Sequence, residues 1–248
     1  MSLFAQIAAV YRETKKPKDG LWNRFVARPL AAVLLVPLAR TPITPNQITF
    51  VSLATFVAAM VGLALEPGHL WLIAAAVVLE FSYVLDCVDG QLARLRHRAS
   101  PVGAHLDFLM DELKAFLLVA ACGIRLWRTD NHELWLVEAL LGLAVVASAI
   151  SLTTFMRRPE YLTATGAARP QSAGDYGDGF MPASPPARAL SVIGLVEDLG
   201  RFLVHYPSYI LIVAIADQLD VFLHVYLAIN AAYAGRSLLS VALKLGRS

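Results

Sequence analysis

The chain has 248 residues, of which 57% are hydrophobic and 16% are charged. An ordinary soluble domain carries about 25% charged residues. Together with a mean hydropathy of +0.58, this composition excludes a disordered chain and favours a multi-pass membrane protein. The formal net charge of +2 gives no basis for a nucleic-acid partner. The two cysteines lie in apolar stretches, which excludes a disulfide scaffold.

Residues 1–44 are expected to form a cytoplasmic N-terminus. Residues 3–10 are a short apolar patch without a preceding basic region, so we do not expect a secretory signal. Residues 21–40 interleave bulky apolar side chains with Arg24, Arg28 and Arg40. A helix of this pattern lies in the headgroup plane with its basic side toward anionic lipid. The sequence therefore predicts an N-terminal interfacial amphipathic helix.

Six segments are long and apolar enough to cross a bilayer, which takes about 20 residues. They are residues 46–65, 69–94, 102–126, 133–156, 201–217 and 220–243. Turn or basic sequences separate most of them, and Pro207 is expected to kink the fifth. The prediction is an all-α polytopic protein whose six transmembrane helices form a membrane domain at residues 45–248.

Lysine and arginine predict how these spans are oriented. They concentrate before the first span, between spans two and three, and after span four, whereas the opposite loops hold only Arg125 and Arg128. We therefore expect a protein of the cell (inner) membrane with both termini and the active site in the cytoplasm. Residues 157–200 then form a cytoplasmic loop, whose Pro- and Gly-rich part at 159–186 is either mobile or a flap over a site.

Four aspartates stand at the cytoplasmic ends of the second and third predicted spans. They are Asp86, Asp89, Asp107 and Asp111. A charge at the centre of a membrane helix costs about 2.5–3.5 kcal/mol, so the grouping needs a physical reason. Helical geometry places one set of residues on a face about 140° wide: Asp86, Asp89, Gly90, Ala93 and Arg94. It places Gly103, Asp107 and Asp111 on a single stripe. Because the connection between the two helices is short, the two acidic faces are expected to meet.

Converging carboxylates in a low-dielectric cleft repel one another and cannot all stay ionised without a cation. Oxygen ligands are those that Mg²⁺ or Mn²⁺ prefers, and two such ions would neutralise four carboxylates. Gly90 and Ala93 leave the helix face bare, and Arg94 offers a cationic fork for phosphate. The pattern indicates phosphoryl chemistry on a metal-bound pyrophosphate.

The same stretch resembles the full signature of the CDP-alcohol phosphotransferase (CDP-alcohol phosphatidyltransferase) family. All eight fixed positions are present at permitted spacing: Asp86, Asp89, Gly90, Ala93, Arg94, Gly103, Asp107 and Asp111. Residues 41–49 also resemble the start of the family's first span. The resemblance implies an enzyme that moves a substituted phosphate group from a CDP-linked donor to the hydroxyl of a small polar acceptor and releases CMP.

The resemblance also implies roles for individual residues. The four aspartates would bind the metal ions, and Asp111 would be the general base for the acceptor hydroxyl. The CDP group would be bound by Asn46, Thr49, Asp86, Gly90, Ala93, Arg94 and Gly103. A homodimer formed through membrane helices is implied as well.

The acceptor site is weakly encoded. A phosphorylated acceptor needs cationic side chains, and the candidates are Arg201, Arg236, Arg157, Arg158 and Lys114. For Arg157 and Arg158 the alternative is a positive-inside anchor. Lys114 lies about 60° from the Asp107/Asp111 stripe, so it either pairs with a nearby acid or contacts substrate.

Three functions are compatible with these residues. The common task of the family, phosphatidyl transfer from CDP-diacylglycerol in phospholipid biosynthesis, is the first expectation. The alternative is transfer from a CDP-polyol such as CDP-inositol, because the run from Lys18 to Asn46 loosely resembles the branch with di-inositol-phosphate-phosphate synthases. A cation- or proton-coupled transporter is a distant alternative, disfavoured because the acids cluster at one membrane face and no internal repeat is evident.

Overall fold

The computed structural model describes residues 2–15, 20, 22–166 and 205–246, and these residues form helices and turns without a strand. The nine α-helices in this described part are α1 (Leu3–Thr14), α2 (Arg28–Leu38), α3 (Pro45–Leu65), α4 (His69–Leu95), α5 (Pro101–Asp130), α6 (Leu134–Met156), α7 (Pro159–Thr165), α8 (Ile210–Ala216) and α9 (Leu219–Leu245). A π-helical turn at Asn23–Ala27 leads into α2, and a 3-10 turn at Tyr206–Ser208 precedes α8. The all-α prediction is confirmed.

Among the described residues, three helices are long and apolar enough to cross a membrane: α3, α4 and α6. They coincide with the predicted spans 46–65, 69–94 and 133–156. The predicted spans 102–126 and 220–243 are also helical, as α5 and α9. The chain is therefore a helical membrane protein, while the count of six spans stays a prediction.

The fifth predicted span, 201–217, is described only from residue 205 onward. Pro207 lies in the 3-10 turn, and α8 begins beyond it at Ile210. Proline has no backbone N–H and a fixed φ, so it suits the approach to a helix better than the interior of one. In this part of the chain a helix start replaces the kink expected at Pro207.

The N-terminal region contains a helix that the sequence analysis did not predict. The Ser2 hydroxyl caps α1 by accepting the Ala5 N–H at 3.3 Å. The Tyr11 hydroxyl then donates to the Arg24 carbonyl at 2.9 Å, and Arg40 donates to the Gln6 side chain at 2.9 Å. These bonds join α1 to the segment that contains α2.

The predicted amphipathic segment 21–40 is helical over most of its length, but its basic side is not as expected. Arg28 is buried, at 4% exposure, whereas Phe25 and Leu30 are exposed. Ala27 and Ala31 face the apolar cluster that this segment shares with α4. Small side chains let the two backbones approach closely, so this face packs on protein and the bulky apolar residues stay exposed.

Helices α3 and α4 are joined at mid-length by a reciprocal pair of serines. The Ser52 hydroxyl donates to the Ser82 carbonyl and the Ser82 hydroxyl donates to the Ser52 carbonyl, both at 2.9 Å. Both serines are fully buried. In an apolar medium such interhelical bonds stabilise helix association, so this pair fixes how α3 lies against α4.

Two glycines bring α5 and α6 close to their neighbours. A Cβ placed on Gly123 would lie 2.3 Å from the Cβ of Ala139, and one on Gly142 would lie 2.6 Å from Leu227. Real side chains do not approach so closely. The small residues of these helices therefore serve packing within the chain.

Arg125 fixes the far end of α5 to the turn between α3 and α4. It is 3% exposed, and its guanidinium donates to the carbonyls of Glu66, Pro67 and Gly68, the last two at 2.9 and 3.0 Å. These carbonyls belong to the turn, and that of Gly68 also accepts the first N–H groups of α4.

Candidate active site

Three of the four signature aspartates form one cluster between α4 and α5. Asp86 and Asp89 lie one turn apart on α4 and Asp107 extends from α5, with one carboxylate oxygen of each within 4.8 Å of the others. Oxygens on opposite sides of a Mg²⁺ ion are about 4 Å apart. Small shifts would thus suffice for one cation to contact all three groups. The all-oxygen donor set fits a hard divalent ion.

Asp89 is held in place by α3. It is 6% exposed, and its Oδ2 accepts the Thr49 hydroxyl at 2.6 Å. Thr49 was predicted to touch the nucleotide, and in the structure it orients a carboxylate. Asn46 lies one turn earlier and is exposed. Thr44 caps α3 by accepting the Gln47 N–H, which sets where both residues face.

Asp111 differs from the other three aspartates because it lies outside their cluster and, together with Asp86, faces Lys114. The Lys114 ammonium donates to Asp86 Oδ1 and lies 3.7 Å from Asp111 Oδ1. It also donates to the Ser52 hydroxyl at 3.1 Å. The lysine side chain is 2% exposed and that of Asp111 is 36% exposed. Of the two arrangements expected for Lys114, the structure contains the ion pair.

The remaining signature residues line the cytoplasmic end of α4 and the start of α5. The Arg94 guanidinium lies over Gly90, where a Cβ would be 3.4 Å from Nη1. Its Nε–H donates to the Thr14 carbonyl at the end of α1, at 2.8 Å. Ala93 is half-buried. The Gly103 N–H donates to the Ser100 hydroxyl, which caps α5.

The predicted acceptor residues are spread over several places. The Arg157 guanidinium stacks on the Phe108 ring at 4.6 Å, next to Asp107 in sequence, which brings a cation to the acid-bearing helix. Arg158 is exposed just before α7, and Arg236 is exposed on α9. Arg201 lies outside the described residues.

Sequence reasoning missed the polar residues that support the site. Ser52 and Ser82 lie one turn from Thr49 and Asp86 on the same helices, a spacing that could have revealed them. The Tyr83 hydroxyl donates to Asn23 Oδ1 at 2.6 Å and lies 2.7 Å from His205 Nε2. This tyrosine links the N-terminal segment, α4 and the turn before α8.

Comparison with known proteins identifies the family. Residues 42–180, more than half of the chain, match the family model for CDP-alcohol phosphatidyltransferase. The chain belongs to this family. The matched region contains all of the signature residues and the whole of the acidic cluster, so the resemblance drawn from the spacing of the aspartates is confirmed.

Three relatives in the CDP-alcohol phosphatidyltransferase family illustrate the similarity. The phosphatidylinositol phosphate synthase of Corynebacterium glutamicum is 31% identical over 179 residues, which cover 71% of this chain and 73% of the relative. The archaetidylinositol phosphate synthase of Aeropyrum pernix is 32% identical over 132 residues, or 51% of this chain and 63% of the relative. The bifunctional IPC transferase and DIPP synthase of Thermococcus kodakarensis is 30% identical over 128 residues. That match covers 50% of this chain and only 27% of the relative.

Proposed function

We propose that the protein is an integral-membrane phosphotransferase that moves a phosphatidyl group from CDP-diacylglycerol to the hydroxyl of a small polar acceptor. The observation that carries the proposal is the convergence of Asp86, Asp89 and Asp107 at one end of α4 and α5. Two relatives are named as synthases of phosphatidylinositol phosphate and archaetidylinositol phosphate. A phosphorylated inositol is therefore the acceptor that we favour.

The four signature aspartates would hold Mg²⁺ or Mn²⁺, with Asp86, Asp89 and Asp107 as the main ligands. A divalent ion bound there would supply charge stabilisation to the pyrophosphate of the donor. Asn46, Thr49, Gly90, Ala93, Arg94 and Gly103 surround the same end of α4 and would bind the CDP group. Arg94 has the geometry for this role because its guanidinium lies over the bare backbone at Gly90.

The reaction is a single displacement. The acceptor hydroxyl oxygen forms a bond to the β-phosphorus, the bond from that phosphorus to the bridging oxygen breaks, and CMP leaves with the electron pair. Asp111 takes the hydroxyl proton, and its partial exposure makes it accessible to an acceptor. A positioned general base contributes about 10²–10⁴-fold to such a step. Arg157 would meet the acceptor phosphate, with Arg158, Arg201 and Arg236 as further candidates.

A second candidate is transfer from a CDP-polyol, such as CDP-inositol. It is favoured by the similarity to the T. kodakarensis protein named as an IPC transferase and DIPP synthase. Such a donor has no acyl chains and would reach the acids from water. The two candidates share the chemistry at phosphorus and differ in whether the donor sits in lipid.

The proposed setting is the inner membrane, with six spans in residues 45–248, cytoplasmic termini and a homodimer. The acids lie at the α4–α5 end, where the connecting residues 96–100 contain Arg96 and Arg98. This basic connection suits the cytoplasmic side. The active site would therefore face the cytoplasm.

The proposal predicts metal-dependent CMP release from a CDP-linked donor. Purified protein in lipid nanodiscs is given inositol phosphate together with either CDP-diacylglycerol or CDP-inositol. Each mixture is tested with Mg²⁺, with Mn²⁺ and with chelator. We expect CMP release only with a divalent ion and both substrates. Asp107→Asn should lower the rate by about 10³-fold, because it removes a charge that no neighbour replaces.

The matched control is Glu160→Gln, which removes an exposed acid of α7 and should leave the rate unchanged. CMP release that continues at the wild-type rate in chelator or in Asp107→Asn would refute the proposed function. Uptake of an ion into sealed vesicles without CMP release would favour the transporter instead. The donor that supports release decides between the lipid and the polyol candidates.

A further inference from the structure

A buried lysine lies inside the acidic site. Lys114 is on α5, one turn beyond Asp111, and its side chain is 2% exposed. Its ammonium donates to Asp86 and to the Ser52 hydroxyl and lies 3.7 Å from Asp111. A fully buried lysine is rare and requires charged or polar partners. This one has them on three helices.

The four aspartates form two overlapping groups around Asp86, and the Lys114 ammonium lies in one of them. Asp86, Asp89 and Asp107 bring their oxygens together, while Asp86 and Asp111 both face Lys114. A cation shared by Asp86 and Asp111 would need the space that the ammonium occupies. The lysine therefore supplies positive charge on one side of the cluster and leaves the other side to a divalent ion.

We propose that Lys114 is a built-in counter-charge that takes the place of a second divalent ion between Asp86 and Asp111. The proposal rests on the proposed function, because it assumes that the aspartates bind divalent metal. The protein without metal is stabilised by Lys114, and the wild-type site binds one divalent ion tightly at Asp86, Asp89 and Asp107.

The first test measures thermal stability without metal. Lys114→Met keeps an unbranched side chain and removes the charge, which leaves the carboxylates uncompensated. In chelator the thermal midpoint should fall by about 10 °C, since breaking a buried ion pair is strongly destabilising. Addition of Mn²⁺ should raise the midpoint more in this variant than in the wild type. Lys244→Met, at an exposed lysine of α9, is the control and should match the wild type.

A second variant keeps the test decisive if Lys114→Met does not fold in chelator. The double variant Asp86→Asn/Lys114→Met removes both charges of the ion pair and should recover the wild-type midpoint in chelator, because an apolar replacement of a whole pair is often neutral. A double variant that is no more stable than Lys114→Met would overturn the counter-charge role.

The second test counts bound ions by titrating full-length protein with Mn²⁺ alone and reading free Mn²⁺ by electron paramagnetic resonance. We expect one tight ion per wild-type chain and a second that binds about 100-fold more weakly, and two tight ions in Lys114→Met. Two equally tight ions in the wild type would overturn this proposal and leave the proposed function intact. No Mn²⁺ bound by the wild type would overturn both.

Discussion

At the scale of single residues, Asp111 is separable from the metal ligands. Its side chain is 36% exposed and lies 3.7 Å from the Lys114 ammonium, while Asp86, Asp89 and Asp107 gather without it. If Asp111 accepts the proton and contributes little to metal binding, replacing it should lower turnover more than it lowers metal affinity.

Asp111→Asn is expected to abolish turnover while it retains part of the binding. The amide keeps the shape of the side chain but cannot take the acceptor proton, so CMP release should fall by about 10²–10⁴-fold. Titration calorimetry should still detect Mn²⁺ and CDP at affinities within about tenfold of the wild type.

Asp130→Asn, at the exposed far end of α5, is the matched control and should turn over normally. A near-normal rate in Asp111→Asn would remove this residue from the base role. Complete loss of Mn²⁺ binding would make it a metal ligand instead.

The acids of the site could be predicted from the sequence, because the positions of Asp86, Asp89 and Asp107 along two helices determine which faces they share. The group that Lys114 contacts could not be predicted from the sequence. An angular offset on a helix does not say whether a long, flexible side chain reaches back to α4 or out to substrate. That choice depends on Ser52, which comes from a third helix.

At the scale of elements, α1 supports the substrate side of the site. The Thr14 carbonyl at its C-terminal end accepts the Arg94 Nε–H at 2.8 Å, and Thr14 is fully buried. The last carbonyls of a helix lack helical donors and carry partial negative charge, which suits a guanidinium. The contact orients the cationic group that we propose for the CDP phosphates.

Deletion of residues 2–14 should raise the KM for the CDP-linked donor with a much smaller change in kcat. The loss of one hydrogen bond to a charged group corresponds to about tenfold in donor affinity. The measurement is steady-state CMP release at varied donor concentration.

The control for this deletion is Phe4→Ser, which keeps α1 and changes a side chain that is 85% exposed. It should leave both constants unchanged. An equal fall in kcat, or an unaltered KM, would show that α1 does not act through Arg94.

Several helices were predictable because long apolar runs end at clear turn signals such as Glu66, Pro67 and Gly68. Helix α1 was missed because its apolar residues are too few for a span, and its stability comes from contacts with the α2 segment. The burial of Arg28 was also unpredictable. Which side of a short amphipathic helix faces protein depends on the fit of small residues such as Ala31 against α4, and periodicity carries no such information.

At the scale of the whole molecule, the arrangement of charge predicts the orientation. The α4–α5 connection carries basic residues, and the opposite end of α5 leads to a connection with His132. Both native cysteines are buried, so a cysteine introduced at an exposed position should react without background.

A membrane-impermeant maleimide should therefore label His132→Cys from outside intact spheroplasts and His97→Cys only in inverted vesicles. Both positions are exposed in the structure, so accessibility differs only by the side of the membrane. We expect the basic connection to lie inside because lysine and arginine are retained in the cytoplasm. Labelling of His97→Cys from outside would reverse the proposed orientation and place the active site on the other side.

Composition alone predicted the protein class, because 57% hydrophobic residues leave too little polar surface for a soluble domain. The number of membrane spans was harder to predict from hydropathy. The predicted span runs through Pro207, but residues 206–208 form a 3-10 turn and the helix begins only at Ile210.

The hydrogen bonds between Ser52 and Ser82 limit the routes by which a bulky donor can reach the aspartates. Parting α3 from α4 would strand two hydroxyls and two carbonyls in hydrocarbon, at a cost of several kcal/mol. Asp86 and Asp89 lie on α4, which these hydrogen bonds hold against α3. We therefore expect the donor to enter on the other side of α4, along α5 or under α1. The acyl chains of a lipid donor would then remain among the surrounding lipids, and only its headgroup would enter the site.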